Sequence, residues 1–150
     1  MNYENLWVIN KKVLPQYTDH AGVLWHGAYL NWLEEARIDA LSKVGLKYTD
    51  LINKGFEMPV IDIKIKYKFA IRLDEEINIK SKFEVNRGPK IKVLSFFFKD
   101  NDNYQTKAEI DLILVKSNKF TIVRRRPQFI DMYLRMLDKG PSSLQKVKCL

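Results

Sequence analysis

"YTDHAGVLWHGAYLNWLEEAR", Tyr17 to Arg37, is where a loop hands over to a helix, and its reading decides the fold. The loop half sets a carboxylate beside an imidazole, Asp19-His20. A tight Ala21-Gly22 pair follows, and His26-Gly27 stands directly before the helical pattern. From Ala28 onward, Tyr29, Trp32, Leu33, Ala36, Ala40, Leu41 and Val44 recur at spacings of three and four, the period of a helix with one apolar face. Gly45 is a natural stop.

Working outward, Leu6 to Gln16 is rich in Val, Ile and Trp and reads as a first strand. Tyr48 to Gly55 gives a short second helical piece. After Pro59 the period changes to two: Ile61, Ile63, Ile65, Tyr67 and Phe69 alternate with Asp62, Lys64, Lys66 and Lys68, a strand with one wet face. Ile77, Ile79, Phe83 and Val85 repeat the pattern. The stretch from Arg87 to Lys90 turns the chain, and Ile91 to Lys99 is a strand apolar throughout. After the polar turn "KDNDN", Ala108, Ile110, Leu112 and Leu114 alternate, with Ile113 and Val115 also apolar, so both faces there require cover. Phe120 to Arg124 returns as a short strand. Pro127 then opens a last helix with Phe129, Met132, Tyr133, Met136 and Leu137 at helical spacing.

This order predicts an α+β fold in which one long central helix is wrapped by an antiparallel β-sheet, since each must bury its apolar face on the other. The 150 residues suit one domain, assigned to residues 1–138. Residues 139–150, "KGPSSLQKVKCL", read as a flexible C-terminal tail.

The run Thr18, Asp19, Gly22, Val23, Leu24, Trp25, His26, Tyr29, Trp32, Glu34, Ala36 and Arg37 resembles the active-site segment of the hotdog-fold acyl-CoA thioesterases, in the 4-hydroxybenzoyl-CoA thioesterase and YbgC-like branch. At the level of the fold the resemblance spans roughly residues 5–137, and Arg126-Pro127 resembles the pair that opens the family's last segment. Leu24 stands where the branch usually has Val, and His20 where a small residue or Pro is common. The resemblance implies hydrolysis of an acyl-CoA thioester to free acid and CoA. Coenzyme A enters as part of the substrate, with no separate cofactor. It also implies self-association to a dimer or tetramer, with sheets paired edge to edge and active sites between subunits.

Thioester cleavage needs an attacking group and a donor for the carbonyl oxygen as it gains charge. Asp19, seven residues before His26, can attack directly or activate water. The unpaired N–H groups at the helix start can supply the donor, reinforced by the helix dipole. Asp19 is equally suited to an Asx turn. His26 is a proton shuttle, or a residue whose backbone N–H matters more than its ring. Glu34 supports the loop by pairing with Arg37, or is the reserve catalytic carboxylate. Gly22 and Gly27 permit close approach of backbone and substrate. Trp25, Tyr29 and Trp32 are expected to line an acyl pocket, with Val23 also expected to bind substrate, although aromatic residues at helical spacing are more often core. Arg87, Lys90, Arg124, Arg125 and Arg126 lie near turns and strand ends and are expected at the carrier's phosphates, against a reading as solvated surface charge.

The net charge of +8 is unevenly spread. Residues 1–58 carry six Lys/Arg against seven Asp/Glu, and residues 117–150 carry eight against two. A basic end suits an anionic partner, so acyl carrier protein is an alternative carrier to CoA. A non-catalytic acyl-thioester-binding or RNA-binding module is the alternative of another class. No aromatic-plus-basic strand motif is read, so no nucleic acid is expected. Hotdog dehydratases place their His and carboxylate elsewhere. Two histidines and one cysteine, Cys149, make no usual zinc set and allow no disulfide within the chain. No apolar run approaches a membrane span and no signal peptide is read, so the expected location is cytoplasmic.

Overall fold

The computed structural model describes residues 2–144. Strand β1 (Trp7–Lys12) is followed by a 3-10 turn at Pro15–Tyr17 and helix α1 (His26–Lys43). Then come α2 (Tyr48–Asn53), β2 (Phe56–Glu57), β3 (Val60–Tyr67), β4 (Glu76–Val85), β5 (Lys90–Phe98) and β6 (Tyr104–Ile113). Short strands β7 (Val115–Lys116) and β8 (Thr121–Ile122) precede α3 (Gln128–Lys139). One five-stranded sheet runs β1-β4-β5-β6-β3, all antiparallel, and a small sheet runs β2-β7-β8.

The α+β arrangement expected from the sequence is present. Helix α1 lays Ala28, Tyr29, Trp32, Leu33, Ala36, Ala40 and Leu41 on the sheet, where they meet Ile77, Ile79, Phe83, Val93 and Phe97. The expected helix start shifts by two residues: His26 and Gly27 are in the first turn, not before it. Pro15 has no N–H for a ladder, so the first strand stops at Lys12 and not at Gln16. Gly45, at φ +98°, ends α1 as the sequence suggests.

Two departures from the alternation have physical causes. The doubly apolar segment at Ile113 to Val115 needs no outside cover. The chain leaves the large sheet at Leu114, and Val115 begins β7 in the small sheet, so Leu114 and Val115 are both buried within the chain while Ile113 is half-buried. In contrast, β3 has no dry face. Ile63, Ile65 and Tyr67 lie opposite Ile110, Ala108 and Thr106, on the side facing α1. Yet Ile63 stays 38% exposed and Tyr67 53% exposed, because β3 is the sheet edge and α1 does not reach over it.

In α3 the buried stripe is Ile130, Leu134 and Leu137, and Met132, expected inward, faces out. The chain stays held beyond residue 138. Asn5 donates to the Lys139 carbonyl at 2.7 Å and accepts from the Ser142 N–H at 2.8 Å. Gly140 packs so closely that a Cβ there would meet the Asn5 carbonyl oxygen. Residues 145–150, with Cys149, lie outside the described residues. No helix among the described residues is long and apolar enough to cross a membrane.

Arg126 fastens α3 to the β4–β5 turn. Its guanidinium pairs with Asp131 at 2.9 Å, donates to the Asn86 carbonyl at 2.8 Å and also reaches the Gly88 carbonyl. Arg135 and Arg126 together hold the Asp131 carboxyl below the usual carboxylate range. Arg126→Ala removes the donor to the Asn86 and Gly88 carbonyls and leaves Asp131 with Arg135 alone, and is expected to cost roughly 1–3 kcal/mol in urea unfolding. Arg124→Ala, at an exposed position, is expected to stay within about 0.5 kcal/mol of the parent.

Candidate active site

The loop from Tyr17 to Trp25 is fixed by backbone hydrogen bonds on two sides. The Trp25 N–H reaches the Tyr17 carbonyl at 2.8 Å, and the Leu24 N–H reaches the Ile71 carbonyl at 2.7 Å. The Leu73 N–H donates to the Gly22 carbonyl at 3.1 Å. Gly22 sits at φ +73°, where a side chain would be strained, so its role is the turn itself.

Within this turn Asp19 Oδ1 accepts the Ala21 N–H at 2.8 Å and the Val23 N–H at 3.2 Å. The Asx turn is therefore present, and it occupies only one carboxylate oxygen. The N–H groups of Val23 and Ala21 hold the Asp19 carboxyl below its ordinary value, with a smaller contribution from His20. Asp19 is exposed and negatively charged at neutral pH, and Oδ2 has no partner among the described residues.

Helix α1 begins beside this carboxylate. Its N-cap is Trp25, which gives no side-chain cap. Neither the His26 nor the Gly27 N–H finds an acceptor among the described residues. A carboxylate and His26, the first of the two residues with a free N–H, thus border one cavity of about 390 Å³. Asp19, Val23, Leu24 and His26 form one wall, Tyr29 another, and Tyr67, Lys68, Phe69 and Ala70 the third. The Tyr29 ring stands edge-on to Tyr67 at 4.9 Å and tilted against Phe97 at 5.3 Å. Burial pushes the Tyr29 phenol pKa up, so it stays neutral.

The cavity brings together Asp19, Val23, His26 and Tyr29 from the sequence reading. Trp25 stands outside, against His26, with ring centroids 5.2 Å apart. A Cβ on Gly27 would fall within the Trp25 ring, so Gly27 makes room for an indole of its own chain. Glu34 is not brought to Asp19. It pairs with Arg37, which is buried and donates to the Met58 carbonyl at 3.0 Å. Glu34 instead faces a larger open groove of about 720 Å³ on another flank of α1, with Ile9, Glu35 and Asp39. That groove holds neither Asp19 nor the helix N-terminus, so the smaller cavity is the one equipped for acyl chemistry.

Arg87, Lys90, Arg124, Arg125 and Arg126 are far from Asp19 in the same chain. The cavity abuts the Ile71 end, before β4 begins, whereas Arg87 follows the end of β4. Ten residues of strand separate these ends, about 30 Å. Arg126 is committed to Asp131 and the turn carbonyls, and Lys90 pairs with Asp111 at 3.0 Å. Arg87, Arg124 and Arg125 are exposed. The sequence reading missed Lys68, Phe69 and Ala70 as cavity wall. Their signal was the end of the strand alternation after Tyr67, where the Lys68 and Phe69 N–H groups share the Gln105 carbonyl, each at 2.9 Å, in a bulge.

The family model described as "Thioesterase-like superfamily" matches residues 13–140. The protein named "Putative esterase sll0410" of Synechocystis sp. is 30% identical over 135 residues, covering 89% of this chain and 81% of its own. The DHNA-CoA thioesterase structure from Staphylococcus aureus superposes with a TM-score of 0.76 at 27% identity, covering 95% of this chain and 91% of that one. The 1,4-dihydroxy-2-naphthoyl-CoA thioesterase structure from Synechocystis, at 16% identity and a TM-score of 0.78, shares the fold over 88% of this chain and 97% of that one. The chain therefore belongs to the thioesterase-like superfamily, as a thioester hydrolase with a hotdog fold.

Proposed function

We propose that the protein hydrolyses an acyl-CoA thioester to the free acid and CoA at the cavity between Asp19 and the start of α1. One observation carries this reading: a negatively charged loop carboxylate with a free oxygen shares a cavity with His26, the first residue of α1, whose N–H is unsatisfied. The thioester carbonyl oxygen takes the N–H groups of His26 and Gly27, where the helix dipole favours negative charge. Asp19 Oδ2 faces the carbonyl carbon. A general base is most effective with a pKa near the working pH, and the two N–H bonds move Asp19 away from that value. Two routes are open to this carboxylate: direct attack, with departure of the CoA thiolate and hydrolysis of the resulting anhydride, or activation of water. CoA is part of the substrate, and the chemistry needs no added cofactor.

The working unit is an oligomer. The exposed β3 edge, with Ile61, Ile63 and Tyr67 uncovered, is what an edge-paired dimer would bury. Antiparallel pairing of two β3 strands puts the Val60 end of one beside the Tyr67 end of the other. Val60 lies opposite Leu112, and Leu112 opposite Ile91, so the Lys90 turn belongs to the Val60 end. The exposed Arg87, Arg124 and Arg125 of the partner copy then approach the cavity that their own chain keeps about 30 Å away. CoA phosphates bind there, and Arg126 supports the turn without touching substrate.

Asp19→Asn is expected to lower kcat by about 10²-fold or more, while Glu34→Gln does less. The reverse order, measured by thiol release across an acyl-CoA panel, would move the chemistry to the helix. Because the Asp19 pKa is depressed, its charged form is lost only as pH falls below the ordinary 3.8. No fall in kcat/KM between neutral pH and 5 is expected from this group, and a limb there assigned to Asp19 by labelling or NMR contradicts the arrangement. Arg124→Gln/Arg125→Gln is expected to raise KM with kcat little changed. Mixing this variant with Asp19→Asn should restore activity beyond the sum, since one site of each mixed dimer keeps both parts. A monomer in sedimentation at micromolar concentration, or mixing without gain, removes the shared-site reading.

A further inference from the structure

The connection from β3 to β4, Lys68 to Glu75, belongs to neither sheet, yet the Asp19 loop hangs on it. In the sheet, β6 and β5 lie between β3 and β4, so this segment crosses three strand gaps, about 14 Å. It crosses at the end of the sheet where α1 begins, since Phe69 and Ala70 share a cavity with His26. Its second half holds the chain before α1 in two places. The Val13 N–H donates to the Glu75 carbonyl at 2.9 Å, and the Asp74 N–H donates to the Val13 carbonyl at 2.9 Å. Further along, Val23 lies opposite Arg72 in an isolated antiparallel bridge, flanked by the Leu24–Ile71 and Leu73–Gly22 hydrogen bonds. Residues 13–24, with Asp19 among them, are therefore held near both ends by residues 71–75.

Residues 71–75 take their own shape from one side chain. The chain turns from Arg72 to Glu75, with the Glu75 N–H on the Arg72 carbonyl at 3.2 Å. Asp74 sits in this turn at φ +67°, a left-handed conformation that persists where the surroundings hold it. The Glu75 carboxylate closes the turn from the other side: Oε2 accepts the Arg72 N–H at 2.9 Å, and Oε1 pairs with Lys99 Nζ at 2.8 Å. Lys99 directly follows β5, so this pair ties the turn to the large sheet.

The side chain of Glu75 is 16% exposed. Burial works to raise its carboxyl pKa, but the Lys99 ammonium and the Arg72 N–H outweigh burial and hold it below the usual carboxylate range, so the pair is charged at neutral pH. Each oxygen has its own donor. Glutamine has one acceptor oxygen, and its amide group would face either an N–H or an ammonium, so it meets only one of the two demands. Neither Glu75 nor Lys99 lines the Asp19 cavity, so their effect on it passes through the loop.

We propose that Glu75 is a positioning residue for thioester cleavage: fastened by Lys99, it fixes the turn from Arg72 to Glu75, and this turn, through its hydrogen bonds to Gly22 and Leu24, fixes the direction of the Asp19 carboxylate. The inference rests on the reading of Asp19 as the carboxylate that attacks or activates water.

The test follows the full chain by carbon-13 NMR of the Asp19 carboxyl and by thiol release from an acyl-CoA panel. In Glu75→Gln the Ala21 and Val23 N–H bonds loosen, and the Asp19 titration midpoint is expected to rise toward the ordinary 3.8. Charge alone acts the other way, because removing a neighbouring negative charge lowers a carboxyl pKa. The same variant is expected to lower kcat and kcat/KM together, by about tenfold to 10²-fold. Glu76→Gln, at the exposed carboxylate next in the chain, is expected to change neither. If Glu75→Gln does not fold, Lys99→Met, at a half-exposed side chain, decides the matter. Faster exchange of the Leu24 N–H with lower kcat supports the proposal there, and no change in either overturns it. For Glu75→Gln, a lower Tm with the Asp19 midpoint and kcat unchanged overturns it. So does a fall in kcat with the midpoint in place, or an equal effect of Glu76→Gln. If the parent cleaves no thioester at all, the hydrolase reading fails, while the midpoint still decides whether Glu75 sets the Asp19 loop.

Discussion

One helix cannot cover five strands. A helix with its side chains is about 10 Å across, and five strands span about 19 Å. Helix α1 lies toward β1 and β4, α3 packs on β4, and the shortfall falls on β3. The rest of the molecule follows from where that shortfall lies. The Tyr67 end of the uncovered strand is also a wall of the Asp19 cavity, so the strand that lacks cover borders the candidate site.

The core of this arrangement was legible in the sequence because it depends on local periodicity. The spacing from Tyr29 to Leu41 and the alternation from Ile77 to Val85 gave α1 and β4 close to where they lie. Misreadings arose where a residue's environment is set by something distant in sequence. Ile113 to Val115 looked like a strand needing outside cover, because a chain changing sheets leaves the same apolar run as a strand buried on both faces. Arg126 looked like its two neighbours, because nothing local marks which of three consecutive arginines will turn under toward Asp131, Asn86 and Gly88. Asp19 and His26 were legible through their motif, whereas Lys68 to Ala70 entered the cavity only through a bulge on a strand more than forty residues later.

The loop reconciles two readings of Asp19 that the sequence set against each other. The turn uses Oδ1 and leaves Oδ2 free. The same two N–H bonds that shape the turn also fix the direction of the free oxygen and keep it charged. A site built this way needs no separate side chain on its carboxylate, since folding of the loop orients it.

The Asn5 side chain joins the two ends of the described chain, taking Lys139 with its amide N–H and Ser142 with its oxygen. Gly140 is closed against the same residue. The segments at Asn5 and Ser142 are thus neighbours, at the end of β1 away from the loop at Asp19. A short linker can bridge them, so new termini can be opened elsewhere in the chain, such as at the polar β5–β6 turn from Lys99 to Asn103. Reporters attached near Asn5 and near Ser142 would stand at the same corner of the molecule, making the pair a compact handle for immobilising the enzyme in one orientation.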